Sequence, residues 1–226
     1  MHSKALIVGF VVYPGFTGLD LVGPHEVLVR ANTRCYLIGK TTAPIRSDLG
    51  LQIIPDVSFD TGPVLDILVV PGGPGQTPGM EDNELISFLA QRSAQAKWIA
   101  GVCTGVLLLA QAGILKGKSA TTHWLAMEEL RYLDAHPVEE RIVRDGKIIT
   151  GAGVSAGIDM ALTLVAIVFG EEEAQRIQLA MEYDPQPPYD VGTPVKAPPH
   201  IVEKLRKTSR FNRNWERENN DTALQK

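Results

Sequence analysis

The chain has 226 residues, 44% of them apolar and 21% charged, with a formal net charge of −4. That length buries one sizeable core and predicts one domain over residues 1–226. The mild acidity supplies no basic field to gather nucleic acid or an anionic membrane, so a small neutral substrate fits better.

With only two cysteines, Cys35 and Cys103, and no signal-peptide pattern after Met1, a cytoplasmic protein with reduced thiols is expected. The longest apolar runs, Val106 to Ala110 and Met160 to Phe169, fall short of the roughly 20 residues a membrane span requires.

In chain order, the apolar run Lys4 to Val12 predicts a buried strand, which Tyr13-Pro14-Gly15 ends before a helical pattern through Leu21, Val22, Val27 and Leu28. A second strand is expected at Arg34 to Gly39 and a hairpin-like region from Ile45 to Pro55. A third buried strand at Asp66 to Val70 is cut off by Pro71-Gly72-Gly73. A helix from Glu81 to Ala96 carries Leu85, Ile86 and Leu89 at helical spacing, with acidic residues where the helix dipole favours them. Trp98 to Val102 returns to strand and Thr104 to Leu115 to helix. Asp145-Gly146 predicts a tight hairpin between Arg141–Val143 and Lys147–Thr150. Helices then follow from about Ala156 to Phe169 and from Glu171 to Tyr183.

Strands alternating with helices predict an α/β fold: a mostly parallel sheet covered on both faces. Beyond it, six prolines between Pro185 and Pro199 predict an irregular segment wrapping the surface. The basic, mildly amphipathic stretch Ile201 to Asn214 reads as a terminal surface helix, and residues beyond Trp215 as a polar tail.

The chemistry concentrates at Gly101-Val102-Cys103-Thr104-Gly105, a G-x-C-x-G turn between a buried strand and a helix. This is the cysteine form of a nucleophile elbow: the side chain points off the sheet, and small residues on either side let strand and helix approach. The dipole of the following helix is expected to favour the Cys103 thiolate. Pro71-Gly72-Gly73-Pro74-Gly75 follows the neighbouring strand, and its N–H groups are expected to form an anion nest. It lacks the lysine and Ser/Thr of a phosphate-binding P-loop. Cys35 has no such context and reads as a core residue. No CxxC, HExxH or clustered ligand set indicates a metal, and no cofactor is expected.

Together Leu19-Asp20, Val69 to Gly73, Gly101 to Gly105 and Ala120-Thr121-Thr122-His123-Trp124 resemble the DJ-1/PfpI superfamily over about residues 4 to 190. That resemblance implies a flavodoxin-like three-layer sandwich, commonly homodimeric, with an acid contacting the elbow cysteine. Within it the chain is most similar to the isonitrile hydratase subgroup, through Gly18 to Pro24 with Glu26 to Leu28, Val102 to Gly105, Ala120 to Trp124 and Gly153 to Asp159. The subgroup is a lyase that hydrates a small neutral isocyanide to an N-substituted formamide. The same segments occur in amidotransferase-like halves of some transcriptional regulators, but the stretch after the prolines is too short for a helix-turn-helix pair.

The resemblance implies Cys103, Asp20 and Thr104 as catalytic residues. Cys103 attacks the isocyanide carbon and Asp20 supplies the proton, giving a thioimidate that water hydrolyses. Asp20 has the competing reading of a helix cap, and Thr104 either contacts substrate or water or merely caps the elbow helix. Gly72, Gly73 and His123 are expected against the substrate. His123 also leaves open a glyoxalase- or deglycase-type enzyme on small dicarbonyls, and Cys103 a non-enzymatic redox or ligand sensor. Asp184, Glu26 and Asp159 read either as pocket groups or as ordinary surface and helix-start acids.

Overall fold

Apolar runs long enough to be covered on both sides form the centre of the computed structural model, which describes residues 4–212. The first is β1 (Leu6–Val11), followed by α1 (Gly18–Leu28) and β2 (Thr33–Gly39). A small antiparallel ribbon, β3 (Ile45–Arg46) and β4 (Gln52–Ile53), precedes β5 (Val57–Ser58) and β6 (Ile67–Val70). Next come α2 (Gln76–Gly79), α3 (Asn83–Gln95), β7 (Trp98–Val102) and α4 (Gly105–Gln111). Short pieces follow: β8 (Ser119–Ala120), a 3-10 turn at Trp124–Ala126, α5 (Met127–Tyr132) and β9 (His136–Pro137). The hairpin β10 (Ile142–Asp145) and β11 (Ile148–Gly151), then α6 (Ala156–Phe169), α7 (Glu171–Ala180) and α8 (Pro199–Lys207), complete the order.

The main sheet has the order β10-β11-β7-β6-β1-β2-β5. All its pairs are parallel except β10 with β11. Packing of α1 on α6 and α6 on α7 covers one face, and α4 with α2, α3 and α5 covers the other. This is the α/β, flavodoxin-like three-layer arrangement the sequence predicts. The fully buried Ile67, Leu68, Val69 and Val70 show why β6 reads as an unbroken apolar run rather than an alternating one.

Chain direction decides where a site can form. From β1 the chain moves outward to β2 on one side, then returns to place β6 on the other side of β1. The loops leaving β1 and β6 therefore part in opposite directions, opening the crevice where α/β proteins hold ligands. The loop after β7 flanks it.

Several boundaries differ from the sequence reading for local reasons. Asp82 accepts from the N–H groups of Glu84 and Leu85, so α3 starts at Asn83 instead of Glu81. Gly113, at φ +75°, stops α4 short of Leu115. The predicted hairpin register is off by one: Asp145 pairs with Ile148, and Gly146 and Lys147 form the two-residue loop. Gly146 has φ +61° and Lys147 does not share a positive φ, the type II′ pattern with glycine first. The helix from Glu171 ends at Ala180, before Tyr183. The proline-rich segment is irregular and largely exposed, and α8 spans Pro199–Lys207. Residues 213 and 214 of the expected terminal helix, and the tail beyond Trp215, lie outside the described residues.

Close backbone approach at the crevice depends on Gly105, where an added Cβ would fall 2.4 Å from both the Pro71 and Val70 carbonyl oxygens. Gly105→Ala is expected to cost about 3 kcal/mol in denaturant unfolding. Wild-type stability in that variant would contradict the packing described.

Candidate active site

Cys103 lies where β7 turns into α4, at φ +55°, a left-handed conformation that costs a non-glycine residue of order 1–3 kcal/mol. The surroundings enforce it. The Cys103 N–H donates to the Gly151 carbonyl at 2.9 Å, and the Thr122 hydroxyl donates to the Cys103 carbonyl at 2.6 Å. Gly101 makes room for α4, since a Cβ there would meet Leu109 at 2.8 Å and Val106 at 2.9 Å. The turn thus has the tight strand-to-helix form expected of an elbow, and Cys103 is 5% exposed.

Asp20 is fully buried in the first turn of α1, which begins at Gly18, three residues earlier than its first apolar marker Leu21. It does not cap its own helix. Thr17 holds the N-cap position, and Asp20 Oδ2 instead accepts from the Gly72 N–H across the crevice at 3.0 Å. Its Oδ1 has no partner at hydrogen-bond geometry, a rare condition for a buried carboxyl oxygen. Thr104 is committed to the same loop: its hydroxyl accepts from the Gly73 N–H at 2.9 Å and donates to the Gly73 carbonyl at 3.2 Å.

These bonds correct the expected anion nest. The N–H groups of Gly72 and Gly73 are occupied by Asp20 and Thr104, so they position those two side chains instead of facing a ligand. Glycine is needed at 72 because a Cβ there would stand 2.5 Å from Thr104 N and 2.8 Å from Asp20 Oδ2.

The electrostatics also depart from expectation. Burial raises the Asp20 pKa from 3.8 to about 7, against the lowering effects of the Gly72 N–H and the Cys103 thiol. Burial and the Asp20 charge push the Cys103 thiol well above its ordinary range, outweighing the Thr104 backbone N–H and the Arg210 charge that favour the thiolate. The thiolate expected from the helix dipole is therefore not the favoured form beside an ionised Asp20. Carboxyl and thiol compete for one proton, and moving it from sulfur to Asp20 leaves a thiolate beside a neutral acid.

His123 sits beside the crevice but is turned to its own backbone, its Nδ1 accepting from the Leu125 N–H at 3.3 Å. Burial and Arg210 lower its pKa, so the imidazole is neutral at pH 7. Asp184 is exposed and accepts from Gln186 at 2.9 Å, outside the site. Glu26 pairs with Arg30, and Asp159 with Arg141 and the Tyr183 hydroxyl. Cys35 is half-buried on β2 next to Thr33. Among the described residues no group of His, Cys, Asp and Glu is arranged to hold a metal, and no helix is long and apolar enough to cross a membrane.

Two site residues escaped the sequence reading. The buried Tyr13 hydroxyl donates to the Pro71 carbonyl at 2.7 Å, and its pKa is raised by burial and by Asp20 and Cys103. The turn Tyr13-Pro14-Gly15 was visible, but nothing in it announced a neighbour of Cys103. Arg210, beyond α8, places its Nη2 3.2 Å from the Gly73 carbonyl and 3.3 Å from the Thr104 hydroxyl. Only a basic, surface-like stretch marked it.

An elbow cysteine paired with a buried acid at the crevice of a flavodoxin-like sheet defines the class, and the chain belongs to the DJ-1/PfpI family, whose model matches residues 6–167. It is 46% identical to isonitrile hydratase of Pseudomonas putida over 204 residues, 90% of each chain. It also resembles a THiJ/PfpI family protein from Pseudomonas syringae, with a TM-score of 0.88 and 41% identity over 90% of this chain and 85% of that one. The HTH-type transcriptional regulator GbdR of Pseudomonas aeruginosa is 29% identical over 188 residues, 78% of this chain and 50% of the regulator.

The raised Asp20 pKa carries a stability consequence with a definite sign. Below pH 3.8 the carboxyl is neutral folded or unfolded, whereas above about 7 the folded state must hold a buried charge. The group's contribution is therefore lost as pH rises through that window, by about 4 kcal/mol. Asp20→Asn, which escapes this loss, is expected to be more stable than wild type at pH 8 and similar to it near pH 3.5 in urea unfolding. Equal pH dependence in the two proteins would contradict the shift.

Proposed function

We propose that the protein is an isonitrile hydratase, adding water to a small neutral isocyanide to give an N-substituted formamide. The observation that carries this reading is the buried Asp20 carboxyl, with one unpartnered oxygen and a pKa of about 7, set against the elbow thiol. Support comes from the 46% identity to Pseudomonas putida isonitrile hydratase along nearly the whole of both chains.

In the proposed reaction the Cys103 proton passes to Asp20, the thiolate bonds to the terminal isocyanide carbon, and Asp20 returns the proton to that carbon. The product is a thioimidate. Asp20, again ionised, takes a proton from water as its oxygen attacks the same carbon, and passes that proton to the nitrogen. Collapse of the tetrahedral adduct breaks the carbon–sulfur bond, forms the formamide carbonyl and hands the hydroxyl proton to the Asp20–Cys103 pair. One water is consumed and the pair returns to its starting state. A carboxyl with a pKa near neutrality is suited to donate and accept in alternate steps.

Thr104 serves in this scheme by pinning the Gly73 loop on which Asp20 depends. The dicarbonyl alternative is less supported, because the His123 Nδ1 is taken up by the Leu125 N–H of its own backbone. The setting proposed is the cytoplasm, where both free cysteines stay reduced. A homodimer is proposed on the exposed apolar residues Leu19 and Val22 of α1 with Leu51, which lies against Gly18 at the start of that helix, and its exposed neighbours Leu49 and Ile54.

Formamide production from cyclohexyl isocyanide, followed chromatographically, tests the reading. Wild type is expected to turn over, Cys103→Ala to lose all activity, and Asp20→Asn to lose about 10²- to 10⁴-fold in kcat. Full activity in Asp20→Asn would remove the carboxyl from the mechanism.

A further inference from the structure

The segment after α8 does not behave as the surface helix end its composition suggests. Arg206 lies over the Trp124 ring at 5.7 Å, and Phe211 packs against the main apolar cluster, so the chain between them is held over the crevice. A turn closed by Asn212 N–H to Ser209 O at 3.0 Å fixes Arg210 in that stretch. Its guanidinium stacks on Phe211 at 4.5 Å and reaches the Gly73 carbonyl, the Thr104 hydroxyl and, at 3.5 Å, Gln76 Oε1.

All three of those polar contacts come from Nη2, and Nε and Nη1 take no part in them. The same guanidinium is near enough to act electrostatically on Cys103, Tyr13 and His123, residues from three different parts of the crevice. A positive charge is thus held at the nucleophile by a part of the chain outside the α/β body. The Gly72 and Gly73 N–H groups are already occupied, so the loop after β6 offers no backbone donors from these two residues to an oxygen formed at the reacting carbon.

We propose that Arg210 is a catalytic residue of the hydration step, its guanidinium holding the attacking water and then the oxygen of the tetrahedral adduct formed on Cys103. This assignment rests on the hydratase reading above. The first half of the reaction, in which the carbon–sulfur bond forms and a proton reaches carbon, develops no oxygen-centred charge. The second half bonds water oxygen to the thioimidate carbon, with one water proton passing through Asp20 to nitrogen, and there a preorganised donor stabilises the charge that builds on oxygen. Arg210 therefore acts after Cys103 and Asp20 have done their first work. It also closes the crevice, so α8 and its following turn shield the thioimidate from bulk water.

The test uses the full chain with Arg210→Gln and Arg210→Lys, cyclohexyl isocyanide as substrate, and rapid quenching into intact-protein mass spectrometry alongside steady-state kinetics. Arg210→Gln is expected to lower kcat about 10²-fold while Cys103 accumulates the mass of one isocyanide, and Arg210→Lys to recover part of the rate. Equal thermal stability of the variants shows that the segment still docks. Wild-type kcat in Arg210→Gln, or a loss of rate without adduct accumulation, would overturn the role of Arg210 while leaving the hydratase reading standing. Absence of both turnover and adduct in the wild type would overturn the hydratase reading, and the Arg210 assignment with it.

Discussion

The site depends on one proton shared between a carboxyl with no exposed surface and a thiol with almost none. In water each group would keep its own ionisation, with the carboxylate formed several pH units before the thiolate. Burial raises both groups, lifting Asp20 to about 7, and the ionised Asp20 in turn opposes a second negative charge on Cys103, so the carboxylate still forms well before the thiolate. The pair therefore takes on its first charge near neutral pH, at Asp20, where a carboxyl is suited both to give and to take a proton.

The rest of the structure makes that burial tolerable. A single backbone N–H from Gly72 meets Asp20, and the loop supplying it is clamped to Thr104 through both its N–H and its carbonyl at Gly73. The loop can lie so close to the elbow only because positions 72 and 105 lack side chains. On the far side, Thr122 and Gly151 hold the strained Cys103 backbone. Chain topology delivers these pieces to one place, since the ends of β1, β6 and β7 are adjacent and each carries part of the site.

Much of this was legible in the sequence. The G-x-C-x-G pattern located the strand-to-helix turn that carries Cys103, because glycine spacing reports directly on close backbone approach. The apolar runs at Lys4–Val12, Asp66–Val70 and Trp98–Val102 located the three strands that meet at the crevice. What failed were inferences from one segment taken alone. The PGGPG loop reads as an anion nest until Asp20 and Thr104, 52 and 31 residues away in sequence, are seen to occupy its N–H groups. The helix after Cys103 reads as a thiolate stabiliser until burial and a neighbouring acid are weighed against it. Arg210 lay in a run of charge that normally marks a solvated face, and its partner Gly73 is 137 residues distant. Such pairings follow from tertiary packing, which local pattern does not encode.

The most direct test of the shared proton is infrared difference spectroscopy of the ligand-free protein as a function of pH, with Asp20→Asn as the reference for assigning the carboxyl band. The account predicts a protonated Asp20 carboxyl that disappears with a midpoint at about pH 7, and a midpoint that changes in Cys103→Ser because the partner proton site has been altered. A band that vanishes at about pH 4, as for a solvated aspartate, or that ignores the substitution at Cys103, would contradict it.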